Sequence, residues 1–345
     1  MLVSILIPAY NAARWIGDTL RSALGQTWPE VEIIVVDDGS SDGTCAAAKA
    51  FEGERVKIVT QANAGAASAR NKALSLSNGD YVQWLDADDM LSPDKIERQM
   101  KRAMEIGDKR VLLSSAWATF SRRPHAAQFI PNPLWADLSP VDWLVHKLGK
   151  NLHMQTATWL TSRELLEAAG LWNIEMLGDD DGEYYCRVLL ASKGVVFVPE
   201  AKVYYRMTDH HRLSAIGFSN RKKDAMLASM RLHIAALYSL EDSERVREAC
   251  LRYLQNWLGA FYPERQDIVR ALEMMAAEMG GHLEPPLLSW KYSWIKATLG
   301  WRAAKRAQLV LPNVRSTIGG ALANLLPGGK VDGIIGAPEE SDSER

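Results

Sequence analysis

Twice before residue 90 a short apolar run ends abruptly in aspartate. Val31 to Val36 stops at Asp37-Asp38-Gly39-Ser40, and Tyr81 to Leu85 runs straight into Asp86-Ala87-Asp88-Asp89. Runs of that length, rich in β-branched residues and closed by turn formers, predict buried strands. Leu2–Ile7, Val56–Thr60 and Val111–Ala118 read the same way. Helical patterns lie between them. One spans Ala12–Leu24 with Asn11 as its N-cap; one runs from a Ser41 or Asp42 cap through about Phe51. Others cover Ala66–Ser77 and the stretch from Pro93 through about Ile106, since proline is tolerated in a first helical turn. Strand–helix alternation predicts an open, largely parallel α/β sheet with helices on both faces. Ligands of such sheets bind beyond the carboxyl ends of the strands, so the two aspartate clusters are expected to share one cleft. Turn chemistry alone would explain one cluster; two of them favour a site.

The rest of the chain is less regular. Pro124, Pro131, Pro133 and Pro140 make 119–150 read as a long loop. Helices are predicted at Thr161–Ala169 and Tyr184–Ser192, and short strands at Val195–Val198 and Lys202–Tyr205. Past Gly217 strand signals stop and long helical patterns begin, which places a boundary near 216–222. The Gly- and acid-rich tail 327–345 reads as disordered.

Composition excludes several classes. Lys+Arg at 40 against Asp+Glu at 42 gives no basic surface for a nucleic-acid partner. Three widely spaced cysteines make neither a zinc site nor a disulfide framework and fit a reducing cytoplasm. Met1–Ile7 lacks a basic flank and is cut by Pro8, and no apolar run approaches the ~20 residues of a membrane span.

Carboxylates at strand ends suit a hard divalent cation, Mg²⁺ or Mn²⁺, whose coordination substrate phosphates complete. Asp86 and Asp88 are spaced to divide such work, one toward a metal and one toward a ribose. Asp37 or Asp38 can accept from a base N–H or a sugar hydroxyl. Asn63-Ala64-Gly65 offers a small-residue loop, and Arg70 a cation for a phosphate or for one of the aspartates. Asp179-Asp180-Asp181-Gly182-Glu183 packs four carboxylates into five positions, one of which can serve as a general base.

These segments together resemble the family 2 glycosyltransferases. The matching stretches are Val3 to Asn11, Ile34 to Thr44, Asn63 to Asn71 and Leu85 to Asp89, in the family's order. The resemblance covers about 1–206 and is weakest over 119–150. It implies a GT-A fold: a Rossmann-like mixed sheet with helices on both faces, here followed by a C-terminal helical region. The implied division is a catalytic domain at 1–216, nucleotide-binding over 1–118 and acceptor-binding over 119–216, then helices over 217–326. Pro8, Ala9, Tyr10 and Asn11 would lie by the nucleotide base, with Asn63, Gly65 and Arg70 completing the donor side. Asp37 or Asp38 would accept from the base, Asp86 and Ala87 would face the ribose, and Asp88 would bind the metal. Counting back from Arg187 puts the family's acidic pair at Asp180 and Asp181, with Asp181 in the base's place; the extra aspartate leaves Asp179 and Asp180 as alternatives. His210 or His211 is the implied histidine near the metal or diphosphate. The resemblance further implies inversion at the anomeric carbon, a nucleotide-diphosphate donor, commonly a UDP-sugar, and a saccharide or lipid-linked hydroxyl acceptor. The Gln-x-x-Arg-Trp motif of processive members is absent, which favours one sugar per encounter.

Segment 289–311 carries Trp290, Trp294 and Trp301 on one helical face with basic residues beside it. It reads either as an interfacial helix on the cytoplasmic face of a membrane or as a packed face. Two other functions share parts of this pattern. A sugar-phosphate nucleotidyltransferase would carry a Gly-rich basic loop after the first strand, and none follows Ile7. A non-catalytic nucleotide-sugar binder would not need the aspartates at 38, 86, 88 and 181.

Overall fold

The computed structural model describes residues 1–208, 219–286 and, between 290 and 308, all but 302, 305 and 306. Residues 1–285 form one compact unit, and the chain beyond them belongs to a second.

Four strands of the first unit are parallel: β1 (Val3–Ala9), β2 (Val31–Asp37), β3 (Val56–Thr60) and β4 (Tyr81–Trp84). With the short antiparallel β7 (Thr161–Ser162) they form a sheet of order β3-β2-β1-β4-β7. Central β1 is almost wholly buried, as expected of a strand covered on both faces. Its side chains alternate between two cores. Leu6, with Ile34 and Trp84, belongs to one; Val3, Ile5 and Ile7, with Ile33 and Val35, belong to the other. Helices α1 (Ile16–Leu24), α2 (Thr44–Lys49), α3 (Ala66–Ser75) and α4 (Lys95–Ile106) fall near their predicted positions.

The predicted single sheet needs correcting. The strand from residue 111 is β6 (Val111–Phe120), and it pairs with β8 (Gly194–Arg206) in a second, three-stranded sheet of order β5-β8-β6. β5 is the two-residue strand Met90–Leu91. The two short strands expected near 195 and 202 are one strand, whose register with β6 slips at Ser115/Ala116. The apolar stretches therefore predicted strands correctly, while pairing depended on partners distant in sequence.

Two further expectations fail. Asn11 does not cap a helix. It sits at positive φ, and its Oδ1 accepts from the Ser41 N–H at 2.9 Å, pinning the two strand-end loops together. Nor is 119–150 one long loop. Ser139 caps α5 (Pro140–Gly149), its Oγ accepting from Asp142 N–H, with Pro140 in the first turn. Proline there starts a helix rather than breaking a strand.

Helices α6 (Arg163–Ala169) and α7 (Asp180–Ala191) follow β7. The composition change past residue 217 corresponds to α8 (Asn220–Leu240), α9 (Glu244–Phe261) and α10 (Gln266–Glu278). These pack into the core that contains Leu6, Trp84 and Tyr184.

Candidate active site

The site lies where β1, β2 and β4 end. Asp38 is buried, and its carboxylate organises the loop opposite. It accepts from Gln61 Nε2 at 2.7 Å, Ala64 N–H at 2.9 Å and Gly65 N–H at 2.8 Å. Asn63 donates to the Asp38 carbonyl at 2.9 Å. Asp37, also buried, accepts from the Ser40 hydroxyl. Gly65 has φ +90°, a conformation that a side chain would strain, and it hands the chain directly to α3. Pro8 is half-buried, Ala9 is buried, and Tyr10 is 53% exposed at the end of β1.

Arg70, on α3, is the centre of the charge arrangement. Its guanidinium donates to Asp86 at 3.1 Å and to Asp180 at 2.6 Å, and stacks over Trp172 at 4.3 Å. Trp172 in turn stacks on Tyr184, with ring centroids 4.0 Å apart. This aromatic floor excludes water from beneath the guanidinium, so its charge must be met by the two carboxylates. Burial pushes the Asp86 and Asp180 carboxyls up, and Arg70 pulls each back. The Arg70 pKa rises because Asp180 and Asp86 outweigh the burial that opposes them.

The aspartates after β4 have separate tasks. Asp89 is fully buried; it accepts from Gln155 Nε2 at 2.6 Å and from Arg206 N–H at 2.8 Å. Burial pushes its carboxyl well above the usual range, and Asp88 and Asp86 add to the shift. Asp89 therefore joins the β4 turn to the end of β8. Arg206 also donates to the Asp88 carbonyl at 2.7 Å and to Asp18 at 3.1 Å. Asp86 pairs with Arg70, and Asp88 is half-buried. Ala87 is buried, and its carbonyl accepts from Thr19.

The acidic run at the start of α7 divides in the same manner. Asp179 has φ +54° and accepts from the Ser229 hydroxyl of α8. Asp180 holds Arg70. Asp181 is half-buried, 3.4 Å from Thr156 Oγ1, and lines a small cavity of about 20 Å³ with Trp143, Lys147, His153 and Trp159. The first turn of a helix favours such carboxylates, because the unpaired N–H groups point toward them. Trp143 and Trp159 are core residues.

Among the described residues no three His, Cys, Asp or Glu side chains gather as a metal cage. A Mg²⁺ or Mn²⁺ ion shared with substrate phosphates needs only one or two carboxylates, and Asp88 fits that need. His210 and His211 lie outside the described residues. Sequence reasoning missed Gln61, Gln155, Trp172, Ser229 and His233, none of which carries a motif signal.

Residues 4–137 match the model of glycosyl transferase family 2. An uncharacterized glycosyltransferase of Rickettsia typhi is 30% identical over 208 residues, covering 60% of this chain and 64% of that protein. The putative teichuronic acid biosynthesis glycosyltransferase TuaG of Bacillus subtilis is 47% identical over 107 residues, 30% of this chain and 42% of that one. The N-terminal segment is thus similar to glycosyl transferase family 2, and the chain spans under two thirds of either relative's length. Staphylococcus aureus TarS 1–349, solved in complex with UDP-GlcNAc, superposes with a TM-score of 0.65 at 18% identity over 81% of each chain. The complex with UDP gives 0.59 over 86% of this chain and 79% of that one. The fold is GT-A.

Proposed function

We propose that this chain is an inverting glycosyltransferase that moves a sugar from a UDP-sugar to a hydroxyl of a saccharide or lipid-linked acceptor. The observation that carries this is the division of labour in the α7 turn: Asp179 and Asp180 are tied to Ser229 and Arg70 on other helices, while Asp181, which lines the same small cavity as Asp179, has among the described residues only the adjacent Gly182 N–H and the Thr156 hydroxyl at 3.4 Å. Asp181 is the general base that removes the acceptor proton as the hydroxyl attacks opposite the leaving diphosphate. Tyr10, Asp37 or Asp38 and the Asn63–Gly65 loop hold the nucleotide. Asp86 is held by Arg70 and faces the ribose. Asp88 holds the divalent ion, Mg²⁺ or Mn²⁺, which supplies charge neutralisation on the diphosphate when bound. The relatives' family and the nucleotides named in the TarS structures support the donor class. Incubation with a panel of UDP-sugars and Mn²⁺ should release UDP. Conversion of UDP-sugar and added pyrophosphate to UTP and sugar 1-phosphate would favour a nucleotidyltransferase instead, and binding without reaction a non-catalytic protein.

The second unit supports a peripheral membrane contact, on the cytoplasmic face in keeping with the unpaired Cys45, Cys186 and Cys250. Residues 293–301 are helical; Trp294 is 65% and Leu299 70% exposed, and Lys291 and Lys296 are exposed too. Exposed tryptophan beside lysine suits an anionic bilayer interface. No helix among the described residues is long and apolar enough to cross a membrane. Flotation with anionic vesicles should fall on truncation before Trp290, and equal flotation would remove this segment from the role.

A further inference from the structure

The base-bearing turn is held from behind by the C-terminal helices. The Ser229 hydroxyl donates to Asp179 Oδ2, and His233 Nε2, one helical turn further along α8, stands 3.9 Å from the same oxygen. The His233 side chain is 1% exposed. Nδ1 lies 3.0 Å from the hydroxyl of Tyr253 on α9. Burial keeps the Tyr253 phenol protonated and His233 neutral. His233 Nδ1 and the Tyr253 hydroxyl thus form one hydrogen bond, and the ring also meets the Gly182 backbone and stands beside Asp179. The other side of the turn is just as close. A Cβ on Gly182 would stand 2.2 Å from Asp179 Oδ1, so only glycine lets the Asp179 carboxylate fold over the first turn of α7. Asp179 is clamped between Gly182 and α8, in a left-handed conformation that the surroundings must enforce. Asp181 lies between these two residues in sequence.

We infer that Ser229 and His233, backed by Tyr253, are positioning residues that fix the aim of the Asp181 carboxylate through Asp179. They reach no substrate. The inference rests on Asp181 being the base. Misplacing a reacting group by about 1 Å can cost on the order of 10²-fold. Ser229→Ala, which removes one oxygen, should lower kcat about ten- to a hundred-fold with the KM for UDP-sugar unchanged. Gly182→Ala, which displaces Asp179 from the opposite side, should do the same, although alanine is the better helix former. Neither loss should appear in an Asp181→Asn background, where there is no base left to aim. Full kcat in both single variants, or a loss of the same size with and without Asp181, would overturn the inference. Asp181→Asn at full turnover would instead overturn the base assignment, and the single variant shows that outcome separately. His233→Ala opens a cavity in the core, so circular dichroism must first show it folded before its kcat is compared.

Discussion

The turn after β4 and the turn before α7 each carry three aspartates and use them alike. One is tied to a distant element (Asp89 and Asp179), one grips Arg70 (Asp86 and Asp180), and one is the carboxylate proposed for chemistry (Asp88 for the ion, Asp181 as base). The difference lies in what ties them. Asp89 is held by Gln155, in the loop before residues 156–158, and by the end of β8. Asp179 is held by α8, one of the helices that follow both sheets. The turn after β4 is therefore braced by the end of the second sheet, while the proposed base is braced by helices that follow the sheets.

The widest test of this contrast separates the carboxylates proposed as base and as metal ligand. Asp181→Asn should lower kcat by about 10²–10⁴-fold while calorimetry finds UDP binding unchanged. Weakened UDP binding in that variant would merge the two roles. Next in size is the shared cation. Arg70→Ala leaves two partly buried carboxylates without their counter-charge and should cost about 3 kcal/mol in denaturant unfolding. An unchanged midpoint would mean that the clusters are not coupled. Asp88→Ala should reduce the Mn²⁺-dependent gain in UDP affinity by about 10–100-fold, the scale of damage at metal sites. Retention of that gain would sink the assignment of Asp88 to the ion.

The smallest effect concerns Asp89. Its carboxyl is raised in the folded chain above the ~3.9 of an unfolded aspartate, so the folded state keeps this proton longer. Stability from this group is then present in acid and lost as pH rises through the folded value. Asp89→Asn should flatten that decline, read as denaturant midpoints from acid to neutral pH. A decline as steep as that of the parent would assign it to Asp86 and Asp180, whose carboxyls are also raised.

Much of this was legible in the sequence because it is local. The strands β1 to β4 announce themselves as apolar runs, and the aspartates at their ends follow from where those runs stop. Arg70 was read as a phosphate or aspartate partner, and it pairs with two aspartates. What could not be read is pairing over distance. Nothing near Val111 says that its strand joins β8 rather than β4, and nothing near Ser229 says that its hydroxyl meets Asp179. Prolines misled as well: Pro140 sits in a first helical turn, where its missing N–H costs nothing. The three aspartates at 179–181 look equivalent as letters, and only their partners separate them.

Arg70 has a consequence for how the chain is assembled. Its two carboxylate partners lie 16 and 110 residues further along. A chain emerging from its N-terminus can complete β1 to β4 and the first ion pair early. The second must wait for a long loop to close, and such distant contacts are slow to form. During that interval a cation lies over an unfinished aromatic floor. The donor half then resembles a domain before the rest has been made, and the arrival of α7 marks the moment when the two halves become one catalytic unit.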